Sequence, residues 1–230
     1  MYLCLPHSRC LNFTDDRLLS SRRSVTSKAS DMGLGKQAKT LNRAQIKMVS
    51  EFLSNNRYGL RDQTIFYFSV KCGLRAKEIA TLHWSMVMES DGSVSDYLYL
   101  PNSSSKGNSG RIVPLNKDLK KNLVEMLKEH QAYEGFDPST ASLIITERSK
   151  STSPQAIVNM FQRWYCKLGL IGCSSHSGRR TFITETAKKI SVVGGSIRDV
   201  QMMVGHSSLQ TTQRYIEADR DCQRKVVDLI

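Results

Sequence analysis

The run VGHSSLQTTQRY, residues 204–215, carries the spacing that decides the fold. Ile197 to Val204 places apolar residues at helical spacing and stops at Gly205, and Leu209 to Tyr215 starts a second helix just after Ser208. Two helices joined by a glycine turn belong to a helical domain. The same run sets His206 and Tyr215 nine residues apart. Alone, each has an ordinary reading: His206 ends one helix and begins the next, and Tyr215 is a half-buried amphipathic ring.

Outward from this stretch the helical pattern continues. His176 to Ile190 reads as a helix, as does a segment that begins at Ser153-Pro154, a cap followed by a first-turn proline, and runs to about Leu168 before Gly169. Lys117 to His130, Arg75 to Leu82, Gln63 to Cys72 before Gly73, and a helix capped by Thr40 with Leu41, Ala44, Val49, Phe52 and Leu53 on one face complete the set upstream. Between them the period changes: Met86 to Met88, Tyr97 to Leu100 and Arg111 to Leu115 read as three strands, separated by Asp91-Gly92 and by the polar stretch Asn102 to Gly110. The expected fold is mainly α with a small three-stranded antiparallel sheet, an α+β class. Residues 1–38 lack periodicity and are rich in Ser and basic side chains. They read as an irregular arm that tracks DNA phosphates, or as an upstream extension with Met32 as the working start. Arg220 to Leu229 closes the chain as a last helix, within a tail at 219–230.

Lys plus Arg total 33 against 21 Asp plus Glu, a net charge of +12 that favours a polyanionic partner, nucleic acid first. No apolar run spans a bilayer, and Pro6, His7 and Arg9 interrupt the start, so a cytoplasmic protein without a membrane partner is expected. Six scattered cysteines without a CxxC pair read as reduced thiols, neither a metal site nor a disulfide framework. There is no phosphate-binding GxxxxGK[ST] loop, HExxH, Gly-rich dinucleotide turn or Gly-x-Ser-x-Gly elbow. No cofactor is expected.

What stands out is a scattered set of Arg, Lys, His and Tyr in distinctive contexts: Gly73-Leu74-Arg75-Ala76-Lys77-Glu78-Ile79, Ser105-Lys106-Gly107, His176-Ser177-Gly178-Arg179-Arg180-Thr181-Phe182, and the 204–215 run. Singly these read as a surface pair between Arg75 and Glu78, a solvated hairpin lysine, a helix cap at His176, and arginines on a wet helix face. Together, from about Lys39 to the C-terminus, they resemble the tyrosine recombinase (phage integrase) family. Its pattern has an arginine after Gly-Leu, matched by Arg75; a hairpin lysine before an Arg-x-Val-Pro-Leu strand, matched by Lys106 and Arg111 to Leu115; a His-x-x-Arg pair, matched by His176 and Arg179; and Gly-His, Thr-Thr and Tyr, matched by His206, Thr211, Thr212 and Tyr215. Departures are Gly178 where the family often has Leu, Arg180 where it often has His, and Val204 in place of the Leu of Leu-Gly-His. Residues 1–38 are also too few for the helical DNA-binding domain that integrases usually carry ahead of the catalytic one, so the resemblance implies either a catalytic-domain-only recombinase or a fragment of a longer one.

The resemblance implies site-specific recombination of double-stranded DNA through a 3′-phosphotyrosine at Tyr215, without metal or ATP. Arg75 and Arg179 would hold the phosphate with His206 as a further donor, Lys106 would protonate the leaving 5′ oxygen, and His176 would assist Tyr215 or control water. Glu78 would orient Arg75 or a histidine, and Arg111 and Arg180 would contact DNA. Partners would be double-stranded DNA, a homo-tetramer on two sites, and accessory DNA-binding proteins, all in the cytoplasm at the nucleoid. The tail would dock on a neighbouring subunit or on its own domain. A type IB topoisomerase and a non-catalytic DNA-binding regulator are the rival readings.

Overall fold

The computed structural model describes residues 37–102, 110–146, 149–215 and 227–228. Almost all of the expected arm, the hairpin tip with Lys106, and nearly all of the 219–230 tail lie outside the described residues. The elements run α1 (Arg43–Ser54), α2 (Gly59–Cys72), α3 (Ala76–Ala80), β1 (Tyr97–Leu100), β2 (Arg111–Pro114), α4 (Lys117–Gln131), α5 (Pro154–Lys167), α6 (Ser177–Lys189), α7 (Ile197–Val204) and α8 (Leu209–Gln213).

Helix α2 is the hub. It buries residues all round, including Ile65, Phe66, Phe68, Val70 and Cys72, because α1, α3, α4 and α6 pack on its different sides. Burial pushes the Cys72 thiol up to about 12, which keeps it protonated. The helix starts at Gly59, four residues before the expected Gln63, and α1 is capped by Asn42 in place of Thr40. Asn42 accepts from the Gln45 backbone and Gln45 reaches back to the Asn42 N–H, a reciprocal pair that Thr40 has no partner to form.

The three-stranded sheet is corrected to two strands among the described residues, with Tyr97 opposite Pro114 and Leu100 opposite Arg111. The expected first strand, Met86 to Met88, does not form, and its first residue instead ends a 3₁₀ turn at Trp84–Met86. Met86 and Val87 donate their N–H groups back to His83 and Trp84, so those donors are not available to a ladder, and only Met88 forms a lone bridge, to Val94. No described helix is long and apolar enough to cross a membrane.

Trp84 ties this turn to α4. Its indole N–H donates to His130 Nδ1 at 2.9 Å, and because an indole nitrogen only donates, Nδ1 carries no proton. Burial holds the His130 pKa below the ordinary histidine value. The unfolded chain therefore binds more protons in acid, so this stabilisation is complete above about pH 6.5 and is lost as pH falls through the lower folded-state value. His130→Gln keeps an acceptor for Trp84 but does not titrate. Its urea midpoint should fall less steeply than wild type below about pH 6.5; parallel curves would sink this account.

Candidate active site

Gly73 begins the site. It ends α2 in the left-handed region, φ 67°, a conformation that glycine adopts without steric cost, and the reversal delivers Arg75 to the start of α3. Arg75 Nη1 and its backbone N–H donate to the two oxygens of Glu78 at 2.9 and 2.8 Å. The expected surface pair is thus half inside: the Glu78 side chain is 1% exposed and that of Arg75 29%. Burial works against the Glu78 carboxylate, but the hydrogen bond and charge of Arg111, followed by the backbone N–H and charge of Arg75, outweigh it and hold the pKa below the usual carboxylate range.

Helix α6 supplies the next two groups. His176 precedes it with an exposed ring and makes no side-chain cap bond, so the imidazole is not spent on the helix end. Arg179, one turn in, is buried and donates through Nη1 to the Gly73 carbonyl and through Nη2 to the Val204 carbonyl. These two bonds tie the end of α2 to the end of α7. Burial lowers the Arg179 pKa to about 9, with Arg75 and Arg111 adding to the effect and Glu78 opposing it, which leaves the group charged at neutral pH.

Gly205, φ 62°, closes α7 and turns the chain into His206. Gln201 clasps that turn, its Nε2 donating to the His206 carbonyl at 2.8 Å while its own carbonyl accepts from the His206 N–H at 3.2 Å. His206 Nδ1 lies 3.0 Å from Thr212 Oγ1, and its ring stacks on Tyr215 with centroids 6.0 Å apart and planes 22° from parallel. Burial first, then the charges of Arg179, Arg75 and Arg111, hold the His206 pKa down at about 4. The positive field is therefore that of the arginines, and His206 is neutral. Tyr215 follows α8, half-buried against the small cluster of Ile183, Val200 and Val204.

Arg75, His176, Arg179, Arg180, His206 and Tyr215 line one cleft of about 410 Å³, together with Gln37, Ala38 and Ser174. Lys106 lies outside the described residues. Arg180 Nη1 donates to the Ala38 carbonyl at 2.8 Å on the cleft wall. Arg111, expected to meet DNA, turns inward: its side chain is 4% exposed and its guanidinium is engaged by Glu78 and the Met203 carbonyl. The physical reason is strand alternation, since Arg111 shares its face with buried Val113 while Ile112 faces out. Gln201 is the contributor that residue patterns leave unassigned, marked only by its step five back from His206, while Thr212, part of the Thr-Thr motif, gains its place as the partner of the His206 ring.

The departure at Gly178 has a packing cause. A Cβ there would lie 2.3 Å from Ser69 Oγ and 2.9 Å from Ser69 Cβ, so the family's leucine has no room where α6 meets α2. Gly178→Ala should cost about 1–3 kcal/mol in urea unfolding, with part regained by adding Ser69→Gly. An unchanged midpoint would contradict the close approach.

Residues 39–221 match the model of the phage integrase family. The tyrosine recombinase XerC of Proteus mirabilis is 29% identical over 170 residues, covering 74% of this chain and 51% of that protein. Against the curated relatives of Proteus mirabilis, Histophilus somni and Shewanella amazonensis, the chain spans 51–66% of their length. Among solved structures, the Tn1549 transposon integrase in complex with circular intermediate DNA superposes with a TM-score of 0.67 at 18% identity, covering 87% of this chain and 68% of that one. The XerA recombinase gives 0.64 at 22% identity, covering 83% and 64%. These two likenesses bear on the fold. The family match, which takes in every residue of the cleft beyond Ala38, establishes that this chain belongs to the phage integrase family.

Proposed function

We propose that this chain carries the catalytic centre of a site-specific DNA recombinase, with Tyr215 as the nucleophile. The observation that carries the reading is convergence: a phenol, three guanidinium groups and two imidazoles reach one cleft from α3, α6, the α7–α8 turn and the end of α8. A phosphodiester fits this set. Its non-bridging oxygens would take Arg75 and Arg179, whose fixed donors stabilise the charge that builds as phosphorus becomes five-coordinate. Of the five N–H bonds of Arg179, two go to carbonyls, which leaves the others for phosphate.

The Tyr215 oxygen attacks phosphorus, the bond to the 5′ oxygen breaks, and that oxygen leaves with a proton from Lys106. The phenolic proton passes to a base, His176 or water held by it. His206, neutral before DNA arrives, donates one N–H to the phosphate when Thr212 donates to Nδ1, and the bound anion raises its affinity for a proton. The 3′-phosphotyrosine keeps the phosphodiester's bond energy, so attack by a 5′ hydroxyl restores the strand.

The partners that follow are double-stranded DNA, a homo-tetramer pairing two sites, and accessory DNA-binding proteins, in the cytoplasm at the nucleoid. Relatives named tyrosine recombinases and neighbours solved on DNA support this reading over a swivelling topoisomerase or a non-catalytic regulator. Sequencing the DNA joined to trapped protein recovers the site, and a supercoiled plasmid carrying two copies of it separates the three. Exchange between the copies is expected; relaxation without exchange, or binding without cleavage, would overturn the reading.

A further inference from the structure

Arg111 stands at the foot of β2 with every nitrogen of its guanidinium used. Nη1 and Nη2 donate to Oε1 and Oε2 of Glu78, both at 3.0 Å, and Nε donates to the Met203 carbonyl at 2.8 Å. Glu78 Oε1 also takes Arg75 Nη1, and Oε2 the Arg75 backbone N–H. Each carboxylate oxygen is therefore shared between one donor of Arg75 and one of Arg111. Met203 is the penultimate residue of α7, just ahead of Gly205-His206. One planar fork thus joins three elements, α3, β2 and α7, and two of them lead directly to groups of the cleft.

A buried ion pair is a weak source of stability, because desolvation offsets most of its attraction; what such a pair provides well is a defined geometry. Here the geometry is over-determined. The carboxylate is held from two sides, and three nitrogens of one rigid plane must be satisfied at once. A shift of β2 against α3 or α7 would break bonds that no water replaces, since the Arg111 and Glu78 side chains are 4% and 1% exposed.

We infer that Arg111 is a positioning residue for strand cleavage: its hold on Glu78 and on the Met203 carbonyl fixes Arg75 and His206 relative to each other around the phosphate. The inference rests on the reading of the cleft given above. Arg111 acts through other residues and has no need to touch DNA. Lysine cannot replace it, because an ammonium is a point donor and cannot grip both Glu78 oxygens and a carbonyl in one plane. Its charge also reaches His206, as one of the three that depress that histidine's pKa.

The test compares wild type with Arg111→Lys and Arg111→Met on a suicide duplex carrying the recovered site. Single-turnover cleavage at saturating DNA and the dissociation constant for the same duplex are measured separately, and His206 is titrated by NMR in the DNA-free protein. Both variants should cleave on the order of 10- to 100-fold more slowly at saturation, the effect of a small misplacement, with affinity within about threefold of wild type. The His206 midpoint should rise in Arg111→Met and lie closer to wild type in Arg111→Lys, which keeps the charge. Weaker binding with an unchanged saturated rate would make Arg111 a DNA contact, and unchanged kinetics would remove its role; either overturns the inference. Should Arg111→Met fail to fold, Arg111→Lys decides alone. If wild type itself forms no adduct, the recombinase reading falls first, and a His206 signal unmoved in midpoint and position in the folded variants would then overturn the positioning role as well.

Discussion

Arg179→Lys is expected to cleave DNA about 10²- to 10³-fold more slowly at saturating substrate, the scale set by removing one fixed oxyanion donor. The substitution keeps a cation in name only. A lysine ammonium starts from about 10.4, and burial that brings a guanidinium down to about 9 would bring an ammonium close to neutral pH, so part of the population would lose its charge. It also cannot bond Gly73 and Val204 together while facing a phosphate, because its donors radiate from one atom. A carbonyl left without a partner costs about 1–3 kcal/mol, so the urea midpoint should fall as well. Wild-type cleavage by the folded lysine variant would show that the buried guanidinium serves only the fold.

Gly73→Ala should be the most damaging small change outside the charged groups. An alanine at φ 67° costs about 1–2 kcal/mol from its own backbone. Its Cβ would also lie 2.5 Å from Phe182 Cδ1, which adds about 1–3 kcal/mol of overpacking. The consequence reaches the cleft by two routes, since the Gly73 carbonyl receives Arg179 and Arg75 follows two residues later. We therefore expect an unfolding free energy lower by about 2–5 kcal/mol together with slower cleavage. Adding Phe182→Leu should recover the steric part and leave the backbone part. Equal stability of Gly73→Ala and wild type would contradict both terms.

The helices were legible in the sequence because their signals are local. Ser153-Pro154 starts α5, Gly73 and Gly205 end α2 and α7, and the apolar spacing of Val49 and Leu53 marks the buried side of α1. The extra turn of α2 and the 3₁₀ turn at Trp84–Met86 were not, because neither has a cap or period of its own. Residues 82–84 find their extended pairing with 141–143, across nearly sixty residues of chain, which no local pattern announces. The site divides in the same way. Arg75, His176, Arg179, His206 and Tyr215 stand out through short motifs, and all five line the cleft.

What joins those residues is long-range and was hidden. Glu78 and Arg111 are 33 positions apart, Arg111 and Met203 are 92, and Arg179 reaches Gly73 across 106. The neutrality of His206 is a collective property of burial and three arginines from three elements, which spacing alone does not reveal. Alternation along Arg111-Ile112-Val113 did contain the clue that Arg111 points inward with Val113, against the usual preference of arginine for the surface.

Covalent capture shows directly which residue attacks the phosphate. The chain and its Tyr215→Phe variant are incubated with a pool of nicked suicide duplexes, adducts are isolated under denaturing conditions, and the modified peptide is identified by mass spectrometry. A DNA adduct on Tyr215 through a 3′ phosphate is expected in the wild type and none in the variant. An adduct on another residue, or equal capture by Tyr215→Phe, would contradict it.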